Sequence, residues 1–96
     1  MGMGQRVASY RQVAVALKYD ADKDAVPRVV AKGSGYVAER IIDLARQHGV
    51  PIRTDADLAQ ALAQIDVGRV IPAELYPAVA EVLAYIYRMN NRRAPV

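Results

Sequence analysis

The run Val13-Ala-Val-Ala-Leu-Lys-Tyr19 limits the folds open to this chain more than any other feature. Val13, Val15, Leu17 and Tyr19 alternate with Ala14, Ala16 and Lys18, a period of two that sends each set to one face of a β-strand. Both faces are largely apolar, the second thinly so with alanines, so the strand belongs in a sheet covered by helices on at least one side. The whole chain has 96 residues, which excludes two domains and suffices for one core burying roughly two-thirds of the unfolded chain's surface. It contains no cysteine, which excludes a disulfide scaffold and any thiolate metal site and fits a reducing compartment such as the cytosol.

Further along, Asp20–Val26 carries three aspartates and a lysine without a hydrophobic period and reads as a solvated connection. Pro27 opens a second strand over Arg28–Lys32, ended by Gly33-Ser34-Gly35. Ser34 is a candidate N-cap for a helix over 36–48, whose apolar stripe is Val37, Ile41, Leu44 and Ala45 and whose stop is Gly49 and Pro51. Val50–Arg53 reads as a brief third strand, which makes Arg28–Arg53 a strand-helix-strand unit with a right-handed crossover and parallel strands. Thr54 or Asp55 caps a next helix carrying Leu58, Ala61, Leu62 and Ile65. A last helix over 72–89 points Leu75, Val79, Val82, Leu83 and Ile86 inward. Pro77 falls within it, predicting a kink or a short first turn followed by a restart. The fold class is therefore α/β, an α+β-like sandwich with a small mixed central sheet of three to four strands surrounded by helices. Residues 1–12 form a short lead-in, 13–89 the single domain and 90–96 a basic tail.

The formal charge of +3 and pI of 9.4 invite a nucleic-acid reading. The distribution argues against it. Arg6, Arg11, Arg88, Arg92 and Arg93 lie in the ends, while residues 14–87 hold eight cations against ten acids. Phosphate binding needs a contiguous basic face, which a mildly acidic body does not supply. No apolar run reaches the roughly 18–20 residues of a membrane span, the N-terminus has no secretory apolar region, and Arg6 breaks the myristoylation pattern after Gly2. No direct membrane insertion is expected.

Residues that carry chemistry are few. His48 is the only histidine and falls at a helix end, where a partly protonated ring complements the dipole. Asp20, Asp22 and Asp24 alternate as in calcium loops, but Ala25 and Ala31 stand where the loop needs glycine and a bidentate glutamate. Gly33-Ser34-Gly35 lacks the setting of a dinucleotide loop and reads as a helix cap. Tyr85 and Tyr87 with Arg88 would make a base-stacking edge, but on the last helix they alternate, so one packs and one shows, and stacking alone identifies nothing. The sequence predicts no catalytic residue, metal, cofactor or small-molecule substrate.

A string of motifs resembles the cytoplasmic domain of FlhB-type export-switch proteins of flagellar and type III secretion systems. It runs through Ala14-Val-Ala-Leu-Lys-Tyr19, Asp20, Pro27-Arg-Val-Val-Ala-Lys-Gly33, Ile41, His48-Gly-Val-Pro-Ile52, Leu58-Ala-Gln-Ala-Leu62, Gly68, Ile71-Pro72, Glu74-Leu-Tyr76 and Ala78-Val-Ala-Glu-Val-Leu-Ala-Tyr85. The resemblance implies a four-stranded central sheet ringed by helices. The fourth strand would come from residues 3–9 and is short, disordered or supplied by a partner through strand addition. It also implies an autocleavage tetrad, Asn-Pro-Thr-His, whose asparagine amide attacks its own carbonyl. Ser9, Tyr10, Arg11 and Gln12 occupy those positions. The nucleophilic amide is absent, so no cleavage and no enzymatic activity are expected. The family's membrane-spanning half is missing as well, and the chain resembles the module that cleavage would release.

The function implied is that of a non-enzymatic accessory component of the flagellar, type III, protein export apparatus, contributing to export or to substrate-specificity switching. Its partners would be the membrane-bound switch protein, a hook-length control protein and export substrates. Its place would be the cytoplasm, reaching the inner face of the membrane through those partners. Tyr10, Arg11, Gln12, Asp20, Asp22, Lys23 and Asp24 are the candidate partner-binding residues. The alternative is a competing regulator that occupies the docking site of the switch protein's cytoplasmic domain, and after it a basic-ended nucleic-acid-binding module.

Overall fold

The computed structural model describes residues 12–20 and 22–93. The alternating run forms strand β1 (Val13–Lys18), and Arg28–Ser34 forms β2. The two pair antiparallel, with Val13 opposite Ser34 and Lys18 opposite Arg28. Ala16 faces Ala31 while Leu17 faces Val29, so Val30 is the extra residue of a bulge. Both faces of β1 are covered, as their apolar character demands. Val15 and Leu17 pack on a core of Leu58, Leu62, Ile71 and Val79, while Ala14 is buried on the opposite face. Helix α1 (Tyr36–Gln47) packs against both strands and α2 (Ala56–Leu62) against β1.

The aspartates between the strands satisfy their own backbone. The Asp20 carboxylate accepts the Asp22 N–H at 3.0 Å, the Asp24 carboxylate accepts the Asp20 N–H at 3.0 Å, and the Asp20 carbonyl accepts the N–H groups of Lys23 and Asp24. Side chains that hydrogen-bond neighbouring amides hold a turn of this kind without a metal.

The sheet departs from the three-to-four-stranded expectation. It has two strands among the described residues, and Val50–Arg53 is not one of them. Pro51 offers no N–H to a ladder, and the far edge of β2 is already engaged. There Ile71 N–H donates to the Pro27 carbonyl, Val29 N–H to that of Arg69 and Gly68 N–H to that of Val29. An isolated antiparallel bridge joins Arg28 to Val70. The expected parallel crossover therefore gives way to an antiparallel pair whose outer edge takes one rung from a loop. The fourth strand expected from residues 3–9 lies outside the described residues.

The helices refine the expectation in several places. Ser34 ends β2 instead of capping α1; Gly35, at φ 59°, is the N-cap residue, with no side-chain bond. Val37 and Leu44, expected to point inward, are exposed, while Ala38 is fully buried and Ile41, Ile42 and Ala45 are half-buried. The small side chain of Ala38 lets α1 approach the thin alanine face of the sheet, which rotates the inner stripe by one residue. Gly49, at φ 69°, ends α1, with its N–H on the Arg46 carbonyl and that of Val50 on Ala45, the paired bonds of a Schellman turn. Asp55 caps α2, its carboxylate accepting the Leu58 N–H at 3.1 Å. The helix stops at Leu62, and Ile65 packs on the core from beyond it. Lys32 closes that end, Nζ donating to the carbonyls of Ala63 at 2.9 Å and Ile65 at 2.8 Å.

Pro77 has the effect expected of it. A 3-10 turn over Ala73–Leu75 precedes helix α3 (Tyr76–Arg93), which restarts so that Pro77 lies in its first turn, where no hydrogen bond is lost. Helix α3 runs on to Arg93, so residues 90–93 of the expected basic tail are helical.

Candidate docking groove

Pro27 is buried where β2 begins, and its carbonyl holds the Ile71 N–H at 3.1 Å. This bond sets the segment before α3 beside the connection that follows β1. A groove of about 170 Å³ lies between them, with Val26, Pro27 and Ile71 on the sheet side and Val79, Ala80 and Leu83 on α3. Tyr19 and Tyr76 also line it and are 41% and 43% exposed. Ile71 and Val79 are almost wholly buried and form its floor. A cavity of about 150 Å³ accepts a benzene ring, so this groove has room for one aromatic or leucine-sized side chain. Its lining contains no carboxylate, imidazole or thiol. Its affinity would come from apolar burial, with two tyrosines adding large rigid surfaces at small entropic cost.

Asp20, Asp22 and Asp24 precede the lining residues Ala25 and Val26 and give this side an acidic border, relieved only by Lys23. Asp22 and Lys23 are exposed, Asp20 and Asp24 half-buried. Gln12 stands apart from them, exposed, its carbonyl accepting the Gly35 N–H at 2.9 Å beside the start of α1. Ser9, Tyr10 and Arg11 lie outside the described residues. His48 is the exposed C-cap of α1, and no group of His, Cys, Asp and Glu suited to a metal occurs among the described residues. Asp20, Asp22, Lys23 and Asp24 thus lie in sequence between the lining residues Tyr19 and Ala25 without lining the groove themselves, and the lining is not legible in the sequence. Val79 and Leu83 read there as core, which they also are, and nothing in a helical period tells a covered apolar position from one at an open margin. Tyr76 one turn before Ala80, on the stripe of Val79 and Leu83, was the signal available.

A model of the FlhB HrpN YscU SpaS family matches residues 10–86. The chain is 46% identical over 78 residues to the Bacillus subtilis protein YlqH, covering 81% of this chain and 84% of that one. It is 45% identical over 80 residues to the flagellar biosynthetic protein FlhB of Salmonella typhimurium, covering 82% of this chain but 21% of FlhB. It therefore spans about a fifth of the FlhB relatives it matches. The crystal structure of the cytoplasmic domain of FlhB from Shewanella putrefaciens matches with a TM-score of 0.79 at 36% identity, over 84% of this chain and 67% of that one. The PscU C-terminal domain matches with a TM-score of 0.75 at 33% identity, over 78% of this chain and 96% of that one. No helix among the described residues is long and apolar enough to cross a membrane. Sequence and backbone agree, and the chain belongs to the FlhB HrpN YscU SpaS family.

Proposed function

We propose that this protein is a non-enzymatic, non-cleaving accessory component of the flagellar, type III, export apparatus, and that it holds an apolar side chain from an export substrate in the groove between Tyr19 and Tyr76. The observation that carries the reading is the groove itself, an apolar floor left open between two exposed tyrosines in a chain whose relatives include flagellar biosynthetic proteins. Burying one leucine- or phenylalanine-sized side chain there contributes about 1.5–3 kcal/mol, one part of a weak, reversible contact whose remainder comes from the surfaces around the groove. Asp20, Asp22, Lys23 and Asp24 form the polar rim of that contact. Tyr10, Arg11 and Gln12 belong to a separate contact with the export machinery, including the membrane-bound switch protein and a hook-length control protein. Binding takes place in the cytoplasm, at the membrane face where those partners sit. Ser9 in place of the asparagine nucleophile leaves the chain intact: its mass stays unchanged on prolonged incubation, and a product starting at Tyr10 would refute this.

The test is crosslinking in cells from a photoreactive residue at Ala80, which is exposed on the groove wall. It is combined with an Ala80→Glu variant that places a charge there. Crosslinks to export substrates, lost when a competing substrate segment is overproduced, together with reduced export in Ala80→Glu cells, support the reading. Deletion without a change in motility, and no crosslink to substrate or machinery, would sink it. Dose-dependent loss of export on overproduction would instead identify a competing regulator.

A further inference from the structure

A second cleft lies where the end of α1 meets the far half of α3. The Schellman turn at Gly49 reverses the chain, and the segment after it runs without a strand partner. Val50 and Ile52 are left 53% and 40% exposed. Together with Arg46 they face Tyr85, Ile86 and Met89 of α3 across a space of about 320 Å³. The guanidinium of Arg53 lies over the Tyr85 ring, 4.7 Å from its centroid, a cation–π contact that orients the group while leaving its N–H fork for an outside acceptor. Neither Arg46 nor Arg53 has a carboxylate partner among the described residues, and the lining of the cleft contains no acid. Exposed Arg88 adds a further cation on α3, next in sequence to the lining residue Met89. At 100° per residue the groove residues of α3 and the cleft residues are centred roughly 120° apart around the helix, so the two open on different flanks.

From this we infer that the cleft is a protein-docking site for an acidic segment carrying one apolar anchor residue. The anchor fills the space between Val50, Ile52 and Ile86, and flanking carboxylates pair with Arg46 and Arg53. The charge selects the occupant: Arg46 lines the cleft and Arg53 stands over Tyr85 at its margin. An aspartate- or glutamate-rich segment gains charge-assisted bonds at unpaired guanidinium groups, whereas a basic segment meets like charge. The concave shape favours a peptide over a lipid surface, because a bilayer is engaged by apolar side chains that protrude, and here they line a hollow. The inference stands apart from the groove reading, since it uses other residues and requires the opposite charge.

Amide chemical shifts of the full chain test it, titrated with synthetic peptides of equal length. One is acidic with a central phenylalanine, one is the same with alanine in its place, and one is lysine-rich with the phenylalanine retained. The acidic phenylalanine peptide should cause saturable shifts in residues 46–53 and 85–89. The alanine version should bind about tenfold more weakly, as loss of one buried anchor predicts. Arg46→Glu should weaken binding about tenfold or more while the Arg53–Tyr85 contact stays in place, with only the small fall in melting temperature that a reversed charge in the last turn of α1 brings. Arg46→Lys should restore part of the affinity. Absence of saturable shifts with the acidic peptide, equal binding of the lysine-rich peptide, or shifts confined to Tyr19–Pro27 would overturn the inference. So would binding of phosphatidylglycerol vesicles through these residues in place of peptide, or a concentration-dependent dimer abolished by Arg46→Glu.

Discussion

Replacing Gly33 by alanine tests how closely α1 lies on the sheet. Gly33 is not among the glycines with positive φ, which are Gly35, Gly49 and Gly68. Alanine therefore suits its backbone, and in an unobstructed strand the exchange would stabilise the protein by about 0.5–1 kcal/mol through the unfolded chain's lost freedom. The obstruction is Val37. A Cβ on Gly33 would lie 2.7 Å from the Val37 Cβ and closer still to its Cγ1. The Val37 Cβ is fixed to the first turn of α1, so relief requires the helix to shift. Overpacking of this kind costs about 1–3 kcal/mol, and the net loss of about 1–2 kcal/mol lowers Tm by about 4–8 °C per kcal/mol in a domain of this size. Urea and thermal denaturation of Gly33→Ala in three backgrounds separate the causes. With Val37 intact the full loss appears. With Val37→Ala the nearest contact disappears and the loss shrinks. With Val37→Gly both contacts are gone and Gly33→Ala becomes neutral or stabilising. Val37 is 55% exposed, so its truncation does not by itself open the core. An equal cost of Gly33→Ala in all three backgrounds would refute the steric argument and leave a backbone requirement in its place.

Other substitutions probe the remaining joints. Lys32→Met keeps the aliphatic stem but removes the two bonds to the Ala63 and Ile65 carbonyls, and should cost about 2–3 kcal/mol by urea denaturation. Asp55→Ala should cost about 1 kcal/mol through the lost cap of α2, with Asp55→Asn near wild type. Gly49→Ala, forced to a φ of 69° in open space, should cost about 1–2 kcal/mol, and Gly49→Asn should recover part of it. Calcium should leave Tm unchanged at every concentration, since the Asp20 and Asp24 carboxylates already serve backbone amides; a rise in Tm that saturates with calcium would contradict this.

Local chemistry made much of the chain legible. Alternation announced β1, Asp55 and Gly49 announced where helices start and stop, and Pro77 announced the restart before α3. Each is decided within a few residues by a dihedral preference or a hydrogen bond to the near backbone. The errors fall where a distant partner decides. Val50–Arg53 has the composition of a strand, but the edge it would join is bonded by Gly68–Ile71. The stripe of α1 is turned by one residue because Ala38, the smaller side chain, allows the closer approach.

The same division holds for function. By itself the sequence determined the strand, the caps, the mildly acidic body and the ordered motifs that mark the family, because these are written in residue types and short spacings. Only the tertiary structure decided that Tyr19, Pro27, Ile71, Tyr76 and Val79 share one groove and that Arg46 and Arg53 flank another. Those groups are brought together by a β2 edge and a helix restart far apart in sequence, and a cavity is a property of the space between elements, which no single element encodes.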